Sequence, residues 1–181
     1  MSAPPKLNHI TMREAAAGVT LLTIDRPSVN ALGRALVEEL NAACAHLESL
    51  PCESAPRVLI IAAAGKCFSA GADLKERQTM SADDVKAWVH WLSSTFTRIA
   101  SLPMPTIAVV GGVAAGGGME LALAADMRIA ETQAMLGLRE TALAIIPGAG
   151  GTQRLARLIG PSRAKRWIFT AKMHTAAEAA C

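Results

Sequence analysis

The chain predicts an α/β fold with parallel strands, and three features carry that expectation. Short apolar runs alternate with stretches of helical periodicity along the 181 residues. One run, Val58-Leu59-Ile60-Ile61-Ala62-Ala63-Ala64, is apolar without interruption, the pattern of a strand covered on both faces of a parallel sheet. No internal repeat, linker or low-complexity segment divides the chain, so a single domain over residues 1–181 is expected.

Residues 7–13 and 19–24 alternate in polarity and predict a β-hairpin turned through Ala15-Ala16-Ala17-Gly18. Asp25-Arg26-Pro27-Ser28 breaks the second strand. Leu36, Leu40, Ala43, Cys44 and Leu47 recur at helical spacing, so a helix runs to about Leu50 and Pro51. The buried strand at 58–64 ends at Gly65. Ser81, with Asp83 and Asp84, caps a second helix whose core stripe is Val85, Trp88, Val89, Leu92, Phe96 and Ile99. At that spacing Trp88, Trp91 and Phe96 read as core and not as pocket walls. Pro103 and Pro105 close the helix and lead into a strand at 106–110. Residues 111–118 read as a turn opening a short helix from about 118 to 125, with brief strands near 127–130 and 135–136. Helices are expected at 150–159 and 162–170, and Thr175 begins a third that stops at Cys181.

Composition excludes several function classes. Apolar residues make up 51% of the chain, enough for a sizeable core, but aromatics only 3%, and Tyr is absent. Stacking platforms for single-stranded nucleic acid are therefore poorly provided. A net charge of +3 is too mild to attract nucleic acid or a membrane surface. Cys44, Cys52, Cys67 and Cys181 show no C-x-x-C pairing and read as reduced thiols of a reducing compartment. The first nine residues lack a signal core and have too few arginines for a transit peptide, so a mature or cytosolic start is expected. The longest apolar stretch, residues 107–125, is broken by five glycines and Glu120, which argues against a membrane span.

Several glycine motifs fail in detail. Gly65-Lys66 is followed by Cys67, with Ile60 where a phosphate loop needs glycine. Gly148-Ala149-Gly150 continues to Gln153, and Gly116-Gly117-Gly118 to Leu121, where a dinucleotide fingerprint needs a third glycine. No Gly-x-Ser-x-Gly elbow occurs. His9, His46, His90 and His174 have no metal-ligand spacing, so no metal is expected. What remains is glycine used for close backbone approach. Glu120 follows Gly116-Gly117-Gly118-Met119, and Glu140 precedes Pro147-Gly148-Ala149-Gly150-Gly151-Thr152-Gln153-Arg154. Ala70-Gly71-Ala72-Asp73 offers a second exposed N–H. Each segment alone reads as a tight turn; together they offer two acid/base carboxylates and two main-chain donors in one cleft, suited to carbonyl chemistry.

Three segments in this order resemble the signatures of the crotonase, or enoyl-CoA hydratase/isomerase, superfamily: Phe68-Ser69-Ala70-Gly71-Ala72-Asp73-Leu74-Lys75-Glu76, Gly116-Gly117-Gly118-Met119-Glu120-Leu121-Ala122, and Ile146-Pro147-Gly148-Ala149-Gly150-Gly151-Thr152-Gln153-Arg154-Leu155. The resemblance covers about residues 18 to 181. It implies a spiral of parallel ββα units with the C-terminal helical region cut short at Cys181. It also implies hydration of a 2-enoyl-CoA, with Glu120 and Glu140 as the catalytic carboxylates and the Ala72 and Gly117 N–H groups as the oxyanion hole. Val29, Ala70, Ala72, Asp73, Leu74, Lys75, Gly117 and Gly148 then fall where the family binds coenzyme A and substrate. No separate cofactor is implied, since coenzyme A is part of the substrate. Relatives form trimers or dimers of trimers through their C-terminal helices, and a mitochondrial matrix or cytoplasmic location fits them. The texture of residues 72–77 and 136–141 is similar to the methylglutaconyl-CoA hydratase branch, some of whose members bind AU-rich RNA.

The helix that matches the RNA-binding face, residues 33–50, carries Arg34 but no lysine, and Glu38, Glu39 and Glu48 make it acidic, so RNA is not expected as a partner. Arg154, Arg157, Arg163, Lys165, Arg166 and Lys172 read as the solvated side of amphipathic helices. Alternatives to the hydratase are an enoyl-CoA isomerase and a non-catalytic assembly partner.

Overall fold

The computed structural model describes residue 5 and residues 7–180. Strands β1 (Ile10–Ala16) and β2 (Val19–Ile24) pair antiparallel as expected. The turn is tighter than its alanine run suggests. A register shift between Glu14 and Ala16 absorbs the extra residue, leaving residues 17 and 18 to turn the chain. Helix α1 (Arg34–Ser49) buries Leu36, Val37, Leu40, Ala43, Cys44 and Leu47 on one stripe.

Next come β3 (Val58–Ala63), β4 (Cys67–Ser69), the short α2 (Leu74–Gln78) and the long α3 (Ala82–Ala100). Ser81 and Asp84 cap α3 reciprocally, each side chain accepting from the other's backbone N–H. The pattern repeats in β5 (Thr106–Val110), β6 (Val113–Ala115) and α4 (Gly117–Ala124), and again in β7 (Met127–Ala130), β8 (Met135–Gly137) and a 3₁₀ turn (Glu140–Leu143). Helices α5 (Gly151–Ile159) and α6 (Pro161–Thr170), the two-residue β9 (His174–Thr175) and α7 (Ala176–Ala179) complete it.

Each ββ unit sends its first strand to one sheet and its second to another. One sheet runs β1-β2-β3-β5-β7, parallel from β2 onward; the other runs β4-β6-β8-β9, parallel except for β9. The second sheet escapes expectation because β4 and β6 are three residues each, too short for periodicity to register, and β6 lies inside the stretch that reads as a turn. The apolar run at 58–64 also differs from its two-faced reading. Leu59 and Ile61 are buried, but Val58 and Ile60 are only half-buried, and in β7 Met127 and Ile129 stand 58% and 56% exposed.

All eight residues of α4 are buried, which makes this helix the centre of the fold. Phe68, Phe96 and Leu138 are among the largest fully buried side chains, as is Leu121 of α4 itself. Cys44, Cys52 and Cys67 are free thiols, and burial pushes Cys44 up to about 12. Cys181 lies outside the described residues.

Candidate active site

A trans peptide points its N–H opposite to its C=O, so the destination of a carbonyl fixes the direction of the following amide. The Gly71 carbonyl accepts the Leu32 N–H at 2.8 Å, and the Asp73 N–H donates to the Leu32 carbonyl at 3.1 Å. The Ala72 N–H between them therefore points away from Leu32. On the facing turn the Gly116 carbonyl accepts the Glu120 N–H at 3.0 Å inside α4, so the Gly117 N–H projects out of the helix N-terminus. The two amides are neighbours: a methyl group at Gly117 would fall 3.6 Å from the Ala72 nitrogen. Both residues line one cavity of about 720 Å³, with the helix dipole behind Gly117.

Glu120 and Glu140 line the same cavity. Glu120, on the first turn of α4, is 2% exposed, and its Oε1 accepts the Ala149 and Gly151 N–H groups, both at 2.8 Å. Burial is the main cause that raises its carboxyl to about 7; the charge of Glu140 adds to this, while the two amides and Arg154 oppose it. Glu140 opens the 3₁₀ turn beside Gly116, where a methyl group would fall 3.2 Å from its Oε1. Its carboxyl is raised by burial, and its Oε2 is buried without a hydrogen-bond partner among the described residues. Two buried carboxyls with raised affinities for protons thus line one cavity, and the charge of Glu140 acts on Glu120.

The other predicted residues sort by position. Ala70, Leu74 and Gly148 line the cavity beside Gly71 and Ala72. Val29 sits behind, its carbonyl accepting the Ala70 N–H at 3.0 Å. Lys75 is exposed at the start of α2. Asp73 has a structural task, pairing with Arg26 at 2.8 Å and capping α2 through the Lys75 and Glu76 N–H groups. The Arg26 hydrogen bond holds its carboxyl below the usual range. Trp88 corrects its core-only reading: it is buried and also walls the cavity with Val89 and Leu92, whereas Phe96 is wholly core. Trp91 meets Trp88 edge-on at 5.4 Å.

Two charged cavity residues escaped the sequence reading. Arg77 of α2 and Arg139, just before Glu140, reach the cavity with no carboxylate paired to either among the described residues. Nothing in their spacing flags them, because α2 itself was not anticipated. The charge patterns also shift. Arg154 is half-buried, not solvated, with its guanidinium on the Ala149 carbonyl at 2.9 Å. On α1, Glu39 is buried against the Asn8 and His9 N–H groups, and Glu48 is paired with Arg98, so less acidic charge faces outward than the sequence count implies. No helix among the described residues is long and apolar enough to cross a membrane, and no group of three or more His, Cys, Asp or Glu among them could hold a metal ion.

The profile of the enoyl-CoA hydratase/isomerase family matches residues 14–181. Among curated proteins, the chain is 47% identical over 164 residues to the mitochondrial enoyl-CoA hydratase domain-containing protein 2 of Mus musculus, covering 90% of this chain and 54% of the relative. It is 45% identical over 181 residues to the mitochondrial methylglutaconyl-CoA hydratase of Homo sapiens, covering 99% of this chain and 52% of that protein. A crystal structure of enoyl-CoA hydratase from Bacillus anthracis superposes with a TM-score of 0.91 at 45% identity, over 95% of this chain and 66% of that one. The chain thus spans little more than half the length of these curated relatives.

Proposed function

Because the chain belongs to the enoyl-CoA hydratase/isomerase family and has its α/β crotonase fold, we propose that it serves as the catalytic domain of an enoyl-CoA hydratase, adding water syn across the 2,3 double bond of a 2-enoyl-CoA. The observation that carries this reading is the shared cavity, with two buried carboxyls, Glu120 and Glu140, and two unspent amides, Ala72 and Gly117.

The thioester oxygen accepts the Ala72 and Gly117 N–H groups. Charge moving onto it as an enolate forms strengthens both bonds, at about 3 kcal/mol each. The water oxygen bonds to the β-carbon as a carboxylate of the pair takes one of its protons, and a carboxyl proton of the pair passes to the α-carbon. Such acid/base help is worth on the order of 10²–10⁴-fold. Glu140 Oε2, buried without a partner, is a ready acceptor for the water. With Glu120 Oε1 held by two amides, its Oε2 is the oxygen left to exchange protons. Coenzyme A lies along Val29, Ala70, Leu74, Lys75 and Gly148, while Asp73 acts indirectly, holding the loop through Arg26 and its backbone bonds to Leu32 and Arg77.

A branch preference is supported by Arg77 and Arg139. Two cavity cations without a paired carboxylate suit an acyl group with a distal carboxylate, the kind of substrate named in the human relative. An isomerase needs only one proton shuttle, so retaining two carboxyls favours hydration. We place the enzyme in the mitochondrial matrix or cytoplasm, and, with C-terminal helices like its relatives', in a trimer or dimer of trimers without an RNA partner.

The test is a panel of 2-enoyl-CoA esters, with and without a distal carboxylate, assayed on wild type, Glu120→Gln and Glu140→Gln. Hydration is expected to fall more than about a hundredfold in both variants. Activity surviving in either would move the assignment toward isomerisation. Arg77→Met is expected to lower kcat/KM selectively for the carboxylated ester; an equal loss on both esters would remove the branch preference.

A further inference from the structure

Arg154 is not among the residues assigned to the proposed substrate, yet it is the cation whose charge acts on Glu120. It lies on the first turn of α5, half-buried, and is drawn into the fold by two hydrogen bonds. Its Nη1 donates to the Ala149 carbonyl at 2.9 Å, and its Nη2 to Thr97 Oγ1 on α3 at 3.3 Å. No carboxylate is paired to it directly among the described residues. Ala149 is held at both of its backbone groups, because its N–H donates to Glu120 Oε1 at 2.8 Å while its carbonyl accepts from Arg154. Gly150, with φ +103°, lets the chain pass: a methyl group there would overlap Arg154 Nη1. A continuous chain of contacts thus runs from α3, whose Trp88, Val89 and Leu92 wall the cavity, through Arg154 and Ala149 to the carboxyl of Glu120.

We propose that Arg154 is a positioning residue for Glu120, clamping the Ala149 peptide so that the Ala149 and Gly151 N–H groups stay aimed at Oε1 and the other oxygen stays turned to the cavity. A half-buried guanidinium placed on a carbonyl with no direct carboxylate partner loses part of its hydration, and a solvated helix-face arginine would not adopt that position. Its fork geometry matters, since one nitrogen holds the loop while the other reaches α3; a lysine cannot do both. The charged groups acting on Glu120 are Glu140 from the 3₁₀ turn and Arg154 from α5, with Arg157 of α5 beside Arg154. The first opposes ionisation of Glu120 and the second favours it, so loss of Arg154 raises the pH at which Glu120 ionises.

The inference rests on the hydratase reading for its kinetic test but not for its titration test. In kinetics with crotonyl-CoA, Arg154→Met is expected to lower kcat about tenfold or more with KM little changed. The limb of the pH profile set by the carboxyl pair should move to higher pH. Arg154→Lys should restore the limb toward its wild-type position and kcat only in part. Independently of activity, urea unfolding of each variant across pH, compared with the same variant carrying Glu120→Gln, locates the ionisation of Glu120. That step is expected at higher pH in Arg154→Met than in wild type. Thr97→Val, which cuts only the α3 end of the clamp, should shift it less in the same direction and covers the case that Arg154→Met fails to fold. A step that stays in place in Arg154→Met, or in Thr97→Val should Arg154→Met not fold, would overturn the proposal, as would a rise in KM with kcat intact. If no variant or wild type turns over enoyl-CoA while the step still moves, the clamp stands and the hydratase reading falls.

Discussion

Burial makes Glu120 a pH sensor of the fold as well as a candidate acid. The folded carboxyl holds its proton up to about 7, against an ordinary value of 4.5. Between those values the folded state binds the proton that the unfolded chain releases, so stability falls as pH rises through that window. Full ionisation costs about 3 kcal/mol at about 1.4 kcal/mol per pH unit. Burial raises Glu140 as well, and its contribution has the same sign. Glu120→Gln keeps an acceptor for the Ala149 and Gly151 N–H groups and removes the charge. Urea unfolding at about pH 5 and about pH 8 is expected to show wild type losing stability that the variant retains; parallel curves would show that Glu120 ionises freely.

Packing of short elements depends on residues without side chains. Helix α4 rests against β4 at Gly118, where a methyl group would overlap the Ser69 carbonyl oxygen. Gly118→Ala is expected to destabilise the fold by about 2 kcal/mol or more, read as a lower urea midpoint, because the obstacle is backbone and not a movable side chain. Helices α1 and α3 were legible from their apolar stripes, and the Ser81 cap from Asp84 three residues on. Thr175 as the start of α7 was legible too, though its pairing in β9 was not. The three-residue strands β4 and β6 and the five-residue α2 left no trace, since each spans too few repeats of its period to announce it. Their existence is dictated by neighbours: β6 is a strand because β4 and β8 flank it.

The larger sheet ends at β7, whose outward residues Met127 and Ile129 are more than half exposed. An apolar strand with an open edge invites pairing with another chain. Ile129→Lys is expected to reduce self-association in size-exclusion chromatography while shifting stability by less than about 0.5 kcal/mol, as surface changes do. An unchanged elution profile would place the sticky surface elsewhere, with Phe169 at 72% exposure and Ile146 at 71% the next to test.

The nomination of Glu120 and Glu140 as candidate site residues came from linear order, because each stands near a glycine-rich segment. Linear order also carried the alternation of strands and helices, since periodicity is a local property of the chain. Which groups are neighbours was decided by packing: the Ala72 and Gly117 amides lie close together, the Asp73 carboxylate turns to Arg26, and Arg154 leaves the surface to hold Ala149. Hydrogen-bond direction and burial arise between segments that lie tens of residues apart, and no pattern within any one of them encodes the distance.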